Sequence, residues 1–297
     1  MPAPLPLQTN RFIIKRMKNK VLNLLWKKFI YNGHLLSLGT VAIAISVLAL
    51  MKIDFSLLFL ILMYSITFIV YSFDRNFDIE KDDSKVRSEL SATNKREIII
   101  ASILLAITLG ITSLSKNFLV FGLFLFLSVF GLLYTIFFKK LTRFVLGFKS
   151  YYVALLYSMV IIFIPPFYNL SYSPEIFLLF IFFTLRWFIN TSFCDIKDID
   201  SDRKDGYKTF ACRFNQGSFI RFLSIFNIFS ALPLIIGVLF YSLPFWSLLY
   251  LLTIPYAFYF FSLPQKKADL QIVTNEWADG EILLWLLLSI IIKIWNI

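Results

Sequence analysis

Nine long apolar blocks, separated by short charged loops, constrain this chain more than any other feature of it. They run over about 34–51, 55–73, 98–115, 118–138, 150–169, 175–194, 219–241, 244–262 and 280–296. Roughly 20 apolar residues are what a helix needs to cross the hydrocarbon of a bilayer. No water is present there to satisfy backbone N–H and C=O groups, so each block is predicted to be a helix. The 297 residues are 59% hydrophobic and include 35 Phe, whereas a soluble domain is nearer half apolar. The predicted fold is all-α: a multi-pass transmembrane bundle of nine helices spanning residues 34–297.

The basic residues orient this bundle. With a cytoplasmic N-terminus, the cytoplasmic segments 1–33, 74–97, 139–149, 195–221 and 263–279 hold 7, 6, 4, 6 and 2 of the 29 Lys and Arg. Lys52, Lys116, Arg186 and Lys293 are the remainder. The opposite orientation would place nearly every cation outside, against the positive-inside rule. The chain is therefore expected to be an integral, multi-pass protein of a bacterial cell membrane. Its net charge of +11 is accounted for by loops that face anionic lipid headgroups. No nucleic-acid-binding motif appears, and no nucleic-acid partner is expected.

Residues 1–33 read as a separate, smaller region. The proline-rich start, Met1 to Asn10, is expected to be disordered. Residues 11–31 mix seven cations with Phe12, Ile13, Ile14, Leu22, Leu25, Trp26 and Phe29, the pattern of a helix lying in the cytoplasmic interface. Cys194 and Cys212 have no Cys or His partner at metal-binding spacing, so structural thiols are expected. The single histidine, His34, opens the first apolar block and reads as an interface residue.

Two acidic clusters interrupt the apolar pattern. The first runs Asp74-Arg75-Asn76-Phe77-Asp78-Ile79-Glu80-Lys81-Asp82, and the second Asp195-Ile196-Lys197-Asp198-Ile199-Asp200-Ser201-Asp202-Arg203. Acids recur every fourth residue at 74, 78 and 82, and again at 198 and 202. On a helix that spacing puts carboxylates on one side, about 6 Å apart along the axis. Like charges so placed repel unless a cation joins them. Oxygen donors of this kind suit Mg²⁺, which keeps waters and shares the phosphate oxygens of a substrate. Each cluster follows directly on an apolar block, the second and the sixth, and both face the same compartment. Two such stripes facing each other would hold a metal-diphosphate at the mouth of a water-filled cavity.

These residues resemble the UbiA family of intramembrane prenyltransferases. Tyr71 to Asp78 is similar to the family's first motif, with Asp74 and Asp78 on its two aspartates. Asp198 and Asp202 match the second motif, and Arg203-Lys204-Asp205-Gly206-Tyr207-Lys208-Thr209 resembles its continuation, where Gly206 suits a turn of positive φ. Tyr134 to Lys149, with Lys139, Lys140, Arg143 and Gly147, resembles the family's basic loop. Two positions depart from the pattern. The leading Asn of the first motif falls on Val70, and the Arg-Pro that often follows that motif is replaced by Val86-Arg87-Ser88-Glu89.

The resemblance implies a UbiA-like fold and transfer of a prenyl group from a prenyl diphosphate to an acceptor, aromatic or another lipid precursor, within the bilayer. The catalytic set would be Asp74, Asp78, Asp198 and Asp202. With Asp82 and Asp195 as auxiliaries, they would hold Mg²⁺, or Mn²⁺ in its place. Lys149, helped by Lys139, Lys140 or Arg143 and with Arg203 nearby, would neutralise the diphosphate. A UbiA-type terpene cyclase, in which the cation is quenched internally, is the alternative that Val70 keeps open. An ion or small-molecule transporter is a third reading. Against it, no span carries an acid at its midplane, and the clusters lie four spans apart on one side, unlike an inverted repeat.

Arg186 lies inside the sixth block, with Asn190 one turn along. An intramembrane arginine must meet a polar cavity or a partner. It is expected either to recognise the acceptor, together with Asn190, or to form a structural pair. The acceptor itself is not legible.

Overall fold

The computed structural model describes residues 25–78, 95–115, 118–266 and 268–295. Within them the chain is a helical bundle and no strand occurs. A short helix α1 (Leu25–Tyr31) meets α2 (His34–Leu50) at an angle of 69°. The corner is Gly33, at φ 87°, and a Cβ there would lie 2.2 Å from the Tyr71 ring, so only glycine allows both the turn and the approach. Then follow α3 (Leu57–Asp78), α4 (Lys95–Ser115), α5 (Phe118–Ile136), α6 (Phe148–Tyr168) and α7 (Pro174–Cys194). Beyond the acidic stretch come α8 (Gln216–Phe229) and α9 (Leu232–Phe240), then a 3₁₀ segment Phe245–Leu252 running into α10 (Thr253–Ser262), and lastly α11 (Glu281–Trp295).

The expected count of nine full spans is corrected. Among the described residues seven helices are long and apolar enough to cross a membrane, or eight if the bent α1–α2 pair is one span. The ninth block is helical, but α11 has 15 residues, about 22 Å of helix against roughly 30 Å of hydrocarbon. It is preceded by Leu270–Ile272 and a π-helical turn, Val273–Ala278, ahead of Glu281. The disordered terminus and most of the interfacial helix expected before residue 33 lie outside the described residues; Leu25–Tyr31 is helical.

Burial distinguishes central helices from peripheral ones. The α7 span is 61% buried and the α4 span 17%, so α7 is walled by protein while α4 presents Ile99, Ile103 and Ile107 outward. Lipid tails are as apolar as those side chains, so helices here associate through close packing and hydrogen bonds rather than water exclusion. Helix α2 shows how. Gly39, Ala42, Ala44, Ser46 and Ala49 are all buried, and α2 packs against α3, α6, α7 and α11. A Cβ on Gly39 would lie 2.4 Å from Trp187 of α7. Ser46 and Ser289 share a hydrogen bond of 2.9 Å that ties α2 to α11, and Thr40 and Thr67 share another of 2.9 Å between α2 and α3.

Candidate active site

The two acidic motifs, far apart in sequence, are joined by the basic loop. After α7 the chain tightens into a 3₁₀ turn, Asp195–Lys197, and then a short helix, Ile199–Lys204. Asp202 N–H donates to the Asp198 carbonyl at 2.8 Å, so the fourfold spacing of these acids is helical as the sequence required. The helix stops at Gly206, whose φ of 73° lets Tyr207 N–H return to the Asp202 carbonyl at 2.8 Å. Lys208 then donates to the Thr142 carbonyl and accepts from Gly147 N–H, both at 2.8 Å. Those two bonds stitch the loop that carries Lys139 and Lys149 to the second motif. Gly147, at φ 67°, can hold the junction because a Cβ there would lie 2.0 Å from the Phe210 ring.

A cavity of about 710 Å³ opens at this end of the bundle, within the size range of small-molecule sites. Asp74, Lys139, Lys149, Asp195, Asp198 and Asp202 all line it. Helix α3 supplies the first motif, and Asp78 is its last residue; Asp82 lies outside the described residues. Asp74 accepts from Thr135 Oγ1 at 2.9 Å, and Lys139 Nζ stands 3.5 Å away. Lys149 Nζ lies 2.9 Å from Asp195 Oδ1 and 3.1 Å from Asp202 Oδ2. Ser150 Oγ donates to the other Asp195 oxygen at 3.1 Å. Burial pushes the Asp202 carboxyl up from the ordinary range, partly opposed by the pull of Lys149.

The deep wall of the cavity is apolar. Leu36, Ile66, Val70, Leu127, Val153 and Leu156 line it. Val70 occupies the position where an Asn was expected, and its Cγ2 would lie 2.6 Å from a Cβ on Gly131. That contact seats α3 against α5. The lining acids offer hard carboxylate oxygens, the donor type of Mg²⁺. Among the described residues no three metal-ligating side chains already stand grouped around one point. Lys149 reaches into the second motif instead and balances two of its charges.

The other expected site residues divide. Asn190 lines the cavity, and its amide donates to the Ala278 carbonyl at 2.8 Å. Lys140 and Arg143 are exposed and lie off the cavity, Arg143 stacking over the Tyr207 ring at 5.6 Å. Arg203 is exposed and lines a separate small pocket with Asn215 and Gln216. Arg186 does not line the cavity. It is fully buried, and all five of its N–H donors are used. Two go to the Glu281 carboxylate at 2.7 and 2.8 Å, one to the Thr253 carbonyl at 3.1 Å, one to Ser230 Oγ at 3.3 Å and one to Asn227 Oδ1. No donor is left for a substrate, so of the two readings open for Arg186 the structure places it as a structural pair.

The family profile of the UbiA prenyltransferases matches residues 35–278. The chain belongs to this family. Its fold is also that of solved UbiA structures. An apo UbiA homologue from Aeropyrum pernix K1 superposes with a TM-score of 0.59 at 14% identity, over 90% of this chain and 97% of that one. A UbiA homologue from Archaeoglobus fulgidus, bound to DMAPP and Mg²⁺, gives 0.58 at 15% identity, over 90% and 99%. A digeranylgeranylglyceryl phosphate synthase gives 0.53 at 16% identity, over 91% and 97%. Among curated protein sequences none matches. At these identities the solved structures establish the fold, and membership in the family makes this an integral membrane protein of the prenyltransferase class. The sequence reading overlooked one part of the UbiA cavity. Lys197, Gln271, Asn275 and Asp279 line it too. The signal was present as polar residues every fourth position, 271, 275 and 279, just before the last apolar block.

Proposed function

We propose that this protein transfers a prenyl group from a prenyl diphosphate to an acceptor inside the membrane, in a Mg²⁺-dependent reaction. The observation that carries the reading is the convergence of Asp74, Asp195, Asp198 and Asp202 with Lys139 and Lys149 on one cavity whose depth is apolar. Such a cavity suits a molecule that is anionic at one end and hydrocarbon at the other. That the Archaeoglobus fulgidus homologue binds DMAPP and Mg²⁺ supports the same assignment. Asp74 and Asp78, with Asp82, would hold metal from the first motif, and Asp198 and Asp202, with Asp195, from the second. Bound Mg²⁺ supplies Lewis-acid stabilisation of the departing diphosphate. Lys149, now paired with Asp195 and Asp202, would exchange a carboxylate for a phosphate oxygen, and Lys139 would reach the same group from the first motif. The aliphatic wall from Leu36 to Leu156 excludes water from the reacting carbon.

The test is incubation of the purified protein with Mg²⁺, prenyl diphosphates of several lengths and a panel of acceptors. Prenylated acceptor should form, and chelation should stop it. Diphosphate released without acceptor, at the rate at which a cyclic terpene appears, would replace transfer by the cyclase reading. Release of neither product, with no binding of prenyl diphosphate, would end both.

The acidic end of the bundle is proposed to face the cytoplasm, as the distribution of Lys and Arg requires. A cysteine at exposed position 201 should react with a membrane-impermeant maleimide from the cytoplasmic side, and one at position 54 from the opposite side. Position 54 is suited to this because Asp54 is exposed and pairs with Lys293 near the far end of α11. Labelling of position 201 from outside would reverse the orientation.

A further inference from the structure

The basic loop between α5 and α6 divides its four cations by direction. Lys139 and Lys149 line the cavity, Lys139 beside Asp74 and Lys149 beside Asp195 and Asp202. Lys140 and Arg143 are exposed and turn away from it. Among the described residues neither forms an ion pair; Arg143 meets only the Tyr207 ring, at 5.6 Å. An apolar row runs beside these two outward cations. Phe138–Arg143 is a 3₁₀ helix, in which residues three apart eclipse. Lys140 and Arg143 therefore share one edge, and Leu141 and Phe144 continue the edge next to it. Phe137, Leu141, Phe144, Val145 and Leu146 are all exposed, Phe144 by 75%.

The loop stitched to it behaves differently. Along the second acidic motif the exposed side chains are Asp200, Ser201, Arg203, Lys204 and Lys208. No large apolar side chain is exposed anywhere between Ile181 and Ile225. That loop is suited to water. The two loops lie at the same end of the bundle, because Lys208 bonds Thr142 and Gly147, yet they present opposite surfaces. Thr142 and Gly147 are buried at the junction, so the α5–α6 loop gives one side to the second motif and the other to its surroundings. Contiguous exposed apolar surface is seldom left in water and marks a protein or membrane contact. Here the row of cations beside it decides between them: the complementary surface is apolar inside and anionic at its edge, as a bilayer with anionic headgroups is.

We propose that residues 137–146 form a foot that dips into the membrane interface and binds the headgroup phosphates of anionic phospholipids through Lys140 and Arg143. Leu141, Phe144 and Val145 enter the boundary between headgroups and acyl chains. The two cations reach back to the level of the phosphates. Lys139 and Lys149, facing inward on the same loop, stay with the cavity. The foot requires only that this end of the bundle meets a membrane surface, and it does not rest on the prenyl-transfer reading.

The experiment places the full chain, with Cys194 and Cys212 replaced by serine, in nanodiscs of phosphatidylcholine with or without phosphatidylglycerol. A nitroxide is attached through a cysteine at position 144, 145 or 201, and its collisions with membrane-soluble oxygen and a water-soluble nickel chelate are measured. Labels at 144 and 145 should meet oxygen more than nickel, and the label at 201 the reverse. Phosphatidylglycerol should slow the motion of the label at 145, inorganic phosphate added to phosphatidylcholine discs should not, and Lys140→Gln with Arg143→Gln should abolish the slowing. A label at 144 as open to nickel as the one at 201 would put the loop in water and overturn the foot. Shielding from both reagents would mean that protein, this chain or a second copy, covers the patch, and would overturn it equally. Slowing that survives the double substitution, or that phosphate alone produces, would overturn the assignment of the two cations to lipid. Phe144→Trp in the protein with its native cysteines gives an independent reading: the added emission should be quenched by lipids brominated on their acyl chains, and an unquenched signal would also overturn the foot.

Discussion

Replacing Asp202 by asparagine should lower the prenyl-transfer rate on the order of 10²–10³-fold, the scale of losing one preorganised electrostatic contact to the developing charge. The side chain is nearly isosteric, so the change removes charge and metal affinity while the fold stays. Asp202 is the most consequential of the acids to test because it is buried, ends the i to i+4 step from Asp198, and contacts Lys149. In the variant Lys149 keeps Asp195 at 2.9 Å as its partner, so no uncompensated cation is created. Binding of Mn²⁺ as a paramagnetic reporter should weaken in parallel with the rate. Asp54→Asn, at the exposed partner of Lys293, should change neither quantity. Near-normal turnover in Asp202→Asn would leave the second motif without a catalytic role.

Replacing Arg186 by methionine should destabilise the protein by about 3–5 kcal/mol, because a carboxylate is left buried without its partner. Among the described residues Glu281 would retain the Trp285 indole N–H at 3.2 Å. The loss reaches beyond one pair. Arg186 joins α7 to Asn227 in the last turn of α8 and Ser230 just beyond it, to Thr253 at the start of α10 and to Glu281 at the start of α11. Thermal unfolding in detergent should show a lowered midpoint, and Arg186→Met with Glu281→Leu should recover most of it, since the double change removes both charges together. A single variant as stable as the parent protein would mean the pair contributes nothing. A variant of normal stability that failed specifically in acceptor binding would return Arg186 to the substrate.

Much of the site was readable because its parts are local. Asp198 and Asp202 need only a helical turn, Gly206 only a positive φ, and each is decided within a few residues of chain. Helix-forming blocks are equally local, since every backbone group in the bilayer is satisfied inside its own segment. Arg186 was ambiguous for the opposite reason. A lone intramembrane cation demands a partner, but the partner is 95 residues away in sequence, and nothing local says whether it is a cavity or Glu281. The same holds for Arg203 and Lys140, whose charges fit a diphosphate by motif and whose side chains point elsewhere.

By itself the sequence determined the class of fold, the membrane setting and the two acidic motifs, all of which follow from hydropathy and spacing along one chain direction. Tertiary structure decided the rest. It set Lys149 between Asp195 and Asp202, placed a π-helical turn just ahead of the last apolar segment, and brought Gln271, Asn275 and Asp279 to the cavity wall beside α7. These outcomes depend on which helices pack together. Between helices in lipid that choice rests on shape and hydrogen bonding across long sequence separations, such as Gly39 under Trp187 and Ser46 against Ser289, and no pattern within a single segment encodes it.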